Sequence, residues 1–205
     1  GSTIHVAASL KKHITSALGQ GKNSQVDPDV MTTEAWAYRV LLNRVFGHSG
    51  QLGQQSPSGP VLLVQIGHER STLYLHSEGA PAVIREVGWG GRDLTQAISQ
   101  KYNIPWEQAE AKKIDHGFIV PLQVTSDITP EQNEFSLCLE SGLEHLIGEL
   151  RQIALMAKSV THENLELIYL SGGTSLLPGL ATWIEGRLKT PTKPLLALSS
   201  ATQSG

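Results

Sequence analysis

The 205 residues of this chain are enough to bury a substantial hydrophobic core, in one large or two small domains. A formal net charge of −3, from 16 basic and 19 acidic residues, gives no indication of binding to nucleic acid or anionic lipid. The single cysteine, Cys138, excludes an internal disulfide framework and is typical of a reducing compartment. It falls in a strongly helical pattern, so we expect a buried structural thiol.

The first part of the chain alternates between strand-like and helix-like patterns. Residues 3–9 alternate as a strand does, and residues 10–21 follow as a short helix that ends at glycine. A second strand is predicted near residues 25–31. A helix over residues 32–47 begins with threonine and glutamate and ends at Gly47.

Residues 48–59 are rich in Gly, Ser, Gln and Pro, which is typical of an exposed connector between two structural units. Three strands are then predicted in quick succession, over residues 60–67, 71–79 and 81–88. The first is a continuous apolar run, as expected of a strand buried on both faces. The second alternates and the third follows a glycine-containing turn, so an antiparallel meander is predicted.

The remaining pattern predicts helices alternating with strands. In chain order these elements are three helices, a strand, a helix and a strand: 90–104, 105–117, about 130–160, 165–171, about 178–188 and 194–199. One face of the longest helix is apolar, which indicates core packing: Leu139, Leu143, Leu146, Ile147, Leu150, Ile153, Ala154 and Ala157. An antiparallel start followed by this alternation predicts a mixed α/β sheet with helices on both faces.

Glycine-containing turns follow three of the predicted strands, at Gly67, at Gly172–Gly173 and within residues 88–95. Backbone N–H groups in such turns can hold a phosphate or approach a nucleotide ring, because no side chain intervenes. Each turn alone is weak evidence, since glycine is also the usual residue of a sharp bend.

Together and in this order, the motifs resemble the second half of the actin-like ATPase superfamily, which includes actin, Hsp70 and sugar kinases. Within this superfamily, the resemblance is closest to the bacterial cell-envelope branch, which contains FtsA, PilM and GspL. The pilus-assembly protein PilM and the type II secretion protein GspL are the members that the chain resembles most. Four segments carry the resemblance. Residues 64–79 resemble the second phosphate loop and its hairpin, and residues 85–104 resemble the strand, GG turn and helix of the branch. Residues 109–117 resemble the helix near the ribose, and residues 168–188 resemble the adenosine motif. Residues 3–47 resemble the end of the first domain.

The resemblance implies an actin-like (ribonuclease H-like) fold, with the end of the first subdomain in residues 3–47 and the second subdomain in residues 60–198. It implies nucleotide contacts at Gly67, Ser71, Thr72, Glu110, Lys113, Ser171, Gly172, Gly173 and Thr174. Two alternatives stay open. Ser71 and Thr72 could equally be ordinary strand residues without a phosphate contact. Glu110 and Lys113 could equally form an exposed i,i+3 ion pair on a helix.

Two departures from the family pattern weaken the expectation of catalysis. The first phosphate loop of the family has no counterpart in this chain, and Gln65 stands where the family carries the aspartate that holds hydrated Mg²⁺. Glu69 is a candidate replacement carboxylate, but a solvated hairpin charge explains it better. No catalytic residue is assigned, and the eight histidines show no metal-ligand spacing.

By resemblance, the function expected is that of a non-enzymatic cytoplasmic scaffold at the inner face of the bacterial inner membrane, in a type IV pilus or type II secretion platform. Expected partners are the cytoplasmic tail of a bitopic membrane protein and a secretion or pilus ATPase; homo-oligomerisation is left open. ATP and Mg²⁺ are candidate ligands of the complete protein only, and none is expected in this chain. The alternative is an FtsA-like polymerising ATPase or a small-molecule kinase.

Overall fold

The computed structural model describes five stretches of the chain: residues 9–24, 28–46, 57–77, 82–120 and 128–195. The chain divides into two compact units, residues 1–55 and residues 56–205. The boundary between the two units falls within the segment of residues 48–59, most of which lies outside the described residues.

The described part of the first unit contains two helices, α1 (Lys11–Asn23) and α2 (Glu34–Phe46). The prediction that the first helix ends at Gly21 was wrong, because α1 continues through both of its glycines, neither of which adopts a positive φ. Helix α2 is close to its predicted bounds. The hydroxyl of Thr33 accepts a hydrogen bond from the backbone N–H of Trp36 at 3.3 Å, as the threonine start predicted.

Two strands were predicted in the first unit, and the structure tests only part of the second. The strand over residues 3–9 lies almost entirely outside the described residues. Of the strand predicted near residues 25–31, residues 28–31 are described and do not form a strand, so the prediction was wrong there. Pro28 has no backbone N–H to donate to a neighbouring strand, and Asp29 has low strand propensity.

The described part of the second unit contains a mixed five-stranded sheet in the order β3-β2-β1-β4-β5. Strands β1, β2 and β3 pair antiparallel as the predicted meander, whereas β1–β4 and β4–β5 pair parallel. The strands are β1 (Val61–Ile66), β2 (Ser71–His76), β3 (Val83–Val87), β4 (Leu167–Ser171) and β5 (Thr192–Pro194). The last strand precedes its predicted position at residues 194–199, most of which lie outside the described residues.

Four helices of the second unit flank this sheet within the described residues: α3 (Gly91–Tyr102), α4 (Trp106–His116), α5 (Pro130–Thr161) and α6 (Leu180–Leu188). Helix α5 begins with Thr129, whose hydroxyl accepts from the backbone N–H of Gln132 while the Gln132 side chain accepts from the backbone N–H of Thr129. None of the described helices combines the length and apolarity that crossing a bilayer requires.

The core lies between one face of the sheet and helices α3, α5 and α6. The apolar face predicted for α5 is buried there, with only Ala154 partly exposed. On the opposite face of the sheet, Leu63, Tyr74 and Tyr169 are also buried. Strand β1 is therefore covered on both sides, as its continuous apolar sequence predicted.

Two tryptophans and the single cysteine are core residues. Trp183 is fully buried, Trp89 is nearly so, and each donates its indole N–H to an oxygen on α5. The thiol of Cys138 is buried, which raises its pKa and confirms the expected structural role.

Candidate functional site

The turns at Gly67 and Gly172 lie side by side at one edge of the sheet. Strands β1 and β4 are parallel neighbours, with Gln65 paired to Ser171, so their carboxyl ends reach this edge together. The two turns contact each other closely. A Cβ at Gly172 would collide with the backbone carbonyl of Ile66, immediately before Gly67. The topology therefore brings the predicted phosphate and adenosine motifs into one site.

The third glycine turn, before α3, joins the same site through backbone hydrogen bonds. The N–H of Gly91 donates to the carbonyl of Gly67 at 2.9 Å, and the N–H of Arg92 donates to the carbonyl of His68 at 2.9 Å. A Cβ at Gly91 would lie 2.5 Å from the hydroxyl oxygen of Thr174. We call these three converging turns, at Gly67, Gly91 and Gly172, the glycine cleft.

Glu110 and Lys113 line the glycine cleft from helix α4. Nζ of Lys113 lies 2.8 Å from Oε2 of Glu110, 2.7 Å from the hydroxyl oxygen of Thr95 and 2.9 Å from the carbonyl oxygen of Gly91. The hydroxyl of Thr95 also hydrogen-bonds Oε2 of Glu110. The side chain of Lys113 is only 11% exposed, so this i,i+3 pair is not the exposed surface pair of the alternative interpretation.

The pKa of Glu110 lies below its ordinary value of 4.5. Partial burial of the carboxylate opposes ionisation, but the hydrogen bonds from Lys113 and Thr95 and the nearby positive charge outweigh it. Ionised Glu110 therefore contributes to the stability of the fold.

The depressed pKa predicts an acid-sensitive contribution to stability. The contribution is full above the ordinary carboxyl pKa and is lost as pH falls through the lowered pKa of the folded state. We expect the melting temperature of wild type to fall with acidity below about pH 5 more steeply than that of Glu110→Gln. Glu107→Gln is the control, since Glu107 is an exposed carboxylate on the same helix with no hydrogen bond or ion pair among the described residues. Equal slopes for wild type and Glu110→Gln would contradict the prediction.

Ser71 and Thr72 lie inside strand β2 and are nearly inaccessible to solvent. The hydroxyl of Ser71 donates to the carbonyl of Trp89 at 2.8 Å, which fixes the chain before the third glycine turn. The structure thus gives Ser71 a local structural partner. A phosphate contact by either hydroxyl stays a prediction.

The other predicted contacts lie in the adenosine motif. Ser171 ends β4, and Gly173 and Thr174 begin a single 3-10 turn, Gly173–Leu176, which the sequence did not predict. The hydroxyl of Ser175 donates to the carbonyl of Gly172 at 2.6 Å and closes this turn. The helix predicted over about residues 178–188 is confirmed as α6, which begins two residues later, at Leu180, and ends at Leu188.

Gln65 sits in a row of side chains across the sheet, between Thr72 on β2 and Ser171 on β4. Its immediate neighbours in that row are hydroxyl side chains, and the carboxylate of Glu86 stands one strand further away, on β3 opposite Thr72. Glu69, the candidate replacement, has a side chain 65% exposed and lies 3.6 Å from Arg92, as expected of a solvated hairpin charge. Within the described stretches, no group of three or more His, Cys, Asp or Glu side chains could hold a metal ion.

Sequence reasoning missed several side chains at the glycine cleft. Thr95 is fully buried and bridges Glu110 and Lys113, a role that only tertiary contact reveals. Two exposed apolar side chains were also missed: Ile114 on α4, 71% exposed, and Leu176 in the 3-10 turn, 73% exposed. The sequence signal available was the placement of Ile114 within the polar segment KKIDH, where an apolar residue has no core to fill.

Comparison with known proteins gives matches over most of the chain. A family model described as type IV pilus assembly protein PilM matches residues 2–200. The cell division protein FtsA of Borreliella burgdorferi is 23% identical over 174 residues, which cover 78% of this chain and 42% of FtsA.

Solved structures include two similar chains. A chain of the PilM–PilN type IV pilus biogenesis complex gives a TM-score of 0.63 at 22% identity, covering 89% of this chain and 47% of that one. MreB5 of Spiroplasma citri bound to AMPPNP gives a TM-score of 0.62 at 16% identity, covering 91% of this chain and 61% of that one.

This chain spans less than half the length of the matched FtsA and of the chain in the PilM–PilN complex. The structural likeness shows an actin-like fold, which agrees with the mixed sheet and the flanking helices. The FtsA match agrees with the predicted branch of the superfamily. Because the family model covers nearly every residue, the chain belongs to the type IV pilus assembly protein PilM family, in the PilM/FtsA branch of the actin-like ATPases.

Proposed function

We propose that this chain is part of a cytoplasmic actin-like scaffold protein in a type IV pilus or type II secretion assembly platform, at the inner face of the inner membrane. The observation that carries the proposal is the match of the PilM family model to residues 2–200. The sequence supports scaffolding over catalysis, because Gln65 supplies no negative charge to a hard cation at the glycine cleft.

The proposed partners are the cytoplasmic tail of a bitopic inner-membrane protein and a secretion or pilus ATPase. The structure of a PilM–PilN complex has been solved. That complex supports the proposal that this chain, which is similar to one of its chains, also docks a partner protein. Docking requires no chemistry at the glycine cleft, so it is compatible with a weakened nucleotide site.

The experiment for docking uses the complete protein and fluorescently labelled peptides from the cytoplasmic tails of bitopic inner-membrane proteins of the same organism. We expect saturable binding in fluorescence anisotropy at micromolar concentration, and no binding of a scrambled peptide of the same composition. ATP hydrolysis should stay at the background rate. Failure of every such tail to bind, together with tight Mg²⁺-dependent ATP binding, would favour the FtsA-like ATPase or kinase instead.

We also propose that the glycine cleft retains a weak nucleotide site in the complete protein, formed by the residues that the family resemblance assigns. The convergence of the three turns supports this, because their backbones approach one another without intervening side chains.

Restoring a carboxylate at position 65 should restore dependence on Mg²⁺. In isothermal titration calorimetry on the complete protein, we expect Gln65→Asp to bind ATP about tenfold more tightly with Mg²⁺ than without, a difference of about 1.4 kcal/mol. Wild type should show little difference between the two conditions. Gln65→Asn, which matches aspartate in size but carries no charge, is the control and should behave as wild type. A Gln65→Asp variant indifferent to Mg²⁺ would argue against this assignment of the metal position.

A further inference from the structure

Helix α1 of the first unit has no buried residue, although it carries apolar side chains. Ile14 and Leu18 lie four residues apart on one face of this helix, and Leu10 immediately precedes it. These three side chains are 38–59% exposed. Helices of water-soluble folds normally bury their apolar face, so α1 presents an apolar surface that the described residues leave uncovered.

The charged side chains of α1 are all basic. Lys11, Lys12 and Lys22 are exposed, and residues 9–24 contain no aspartate or glutamate. Lys22 follows Leu18 by four residues and Lys11 precedes Ile14 by three, so both lysines border the apolar face. A narrow apolar face bordered by lysines is typical of a helix that lies in the interface of a lipid bilayer.

The small net charge of the chain conceals an uneven distribution of charge between the two units. Residues 1–55 include five basic and three acidic residues, whereas residues 56–205 include 11 basic and 16 acidic residues. The first unit is therefore net positive and the second is net negative. Anionic lipid headgroups attract the first charge and repel the second, so electrostatics favours a membrane contact through the first unit.

We propose that α1 is an interfacial helix that binds the surface of an anionic lipid bilayer. Ile14 and Leu18 enter the boundary between headgroups and acyl chains, while Lys11 and Lys22 extend along that boundary towards the lipid phosphates. This contact goes beyond docking through the tail of a membrane protein, and it requires nothing of the glycine cleft. One short helix binds lipid weakly and reversibly, so the contact adds to partner docking by avidity.

The composition of α1 favours a lipid surface over a groove on a partner protein. The residues that anchor protein interfaces are mainly aromatic residues and arginine, and α1 contains neither. Lysine, the charged residue that α1 does contain, is depleted in protein interfaces but common beside apolar residues at membrane surfaces. A lipid surface needs only apolar side chains and positive charge, which α1 supplies together.

Sedimentation of the complete protein with lipid vesicles tests the proposal. We expect binding to vesicles of phosphatidylcholine that contain about one-third phosphatidylglycerol, and about tenfold weaker binding to vesicles of phosphatidylcholine alone. High salt should also weaken the binding to anionic vesicles, because it screens the lysine charges. If wild type bound neither kind of vesicle, the proposal would be overturned, while peptide docking would still decide the scaffold proposal on its own.

Two pairs of variants assign the binding to α1. Leu18→Ser should weaken binding to anionic vesicles about tenfold, because it removes apolar surface from the interface. Its control is Leu155→Ser, an exposed leucine of α5 in the second unit, which should bind as wild type does. Lys22→Gln should weaken binding about fivefold, whereas Lys158→Gln, also in the last turn of its helix, should not. Equal effects within each pair would contradict a contact through α1.

The melting temperature separates contact with lipid from burial inside the complete protein. Leu18→Ser should melt within about 2 °C of wild type in the absence of lipid, since exposed side chains contribute little to stability. A fall of roughly 10 °C would show that another part of the polypeptide covers α1, and would overturn the proposal. Failure of Leu18→Ser to fold would have the same meaning.

Discussion

The Gly172→Ala variant is expected to lose about 4 kcal/mol of unfolding free energy, enough to melt the second unit well below wild type. Gly172 has φ 88° and ψ 166°, a region that is essentially restricted to glycine and costs other residues about 1–3 kcal/mol. The new methyl group would also overlap the backbone carbonyl of Ile66, and overpacking of this kind costs about 1–3 kcal/mol. Backbone cannot move aside as a flexible side chain can.

Thermal unfolding followed by circular dichroism measures this effect. At about 2–4 °C per kcal/mol for a chain of this size, the melting temperature should fall by roughly 10 °C. Gly173→Ala is a matched control one residue away, since Gly173 lacks a positive φ and a Cβ there would meet no atom within 4 Å. Equal melting temperatures for the two variants would contradict the contact between the Gly67 and Gly172 turns.

Truncation of Trp183 should destabilise the protein by a comparable amount. Its side chain is fully buried on α6, and its indole N–H donates to Oε2 of Glu140 on α5 at 2.9 Å. The guanidinium of Arg187 lies over the ring at 4.8 Å. Trp183→Ala removes the packing and the donor to Oε2 of Glu140, while the Ser136 hydroxyl still donates to Oε1, so we expect a loss of about 3–5 kcal/mol in urea unfolding.

Two further variants separate the components of that loss. Trp183→Phe keeps an aromatic ring but lacks the N–H, so it should lose about 1–3 kcal/mol. Leu155→Ala shortens an apolar side chain of α5 that is 70% exposed, and should change stability by about 0.5 kcal/mol or less. If Trp183→Ala matched Leu155→Ala, the contact between α5 and α6 would contribute little to stability.

The parts of the fold that were predictable are those in which local pattern and burial agree. The continuous apolar run of β1 matches a strand with both faces covered, and the apolar face of α5 repeats at helical spacing over its whole length. The meander followed from short connections between strands. The mixed character of the sheet followed from the helices between the meander and the later strands, but the parallel pairing of β4 with β1 was not predicted.

Other boundaries depended on contacts that sequence spacing does not contain. Helix α6 begins two residues after Pro178, because the chain first makes a 3-10 turn and a second turn at Gly179 with φ 81°. Helix α1 passes through Gly21, because that glycine has no positive φ and the helix continues to Asn23. In both cases, the presence of a glycine in the sequence does not indicate which backbone conformation that glycine adopts.

The candidate site was predictable in position but not in detail. Glycines after parallel neighbouring strands must meet at one sheet edge, which placed Gly67 and Gly172 together. The ring of hydrogen bonds around Lys113 was not predictable, because Thr95 and Gly91 come from another helix. A role of Lys113 in nucleotide binding stays a prediction, as does such a role for Ser71 and Thr72.

The hydrogen bond from the N–H of Ile119 to the carbonyl of Pro178, at 2.8 Å, joins the chain after α4 to the turn that follows the adenosine motif. Ile119 is 1% exposed, so water reaches its amide only when that turn lifts away. The rate of deuterium uptake at this one amide therefore measures how often the turn opens. Slower uptake in the presence of a nucleoside would indicate that the nucleoside is bound, without any label on the ligand.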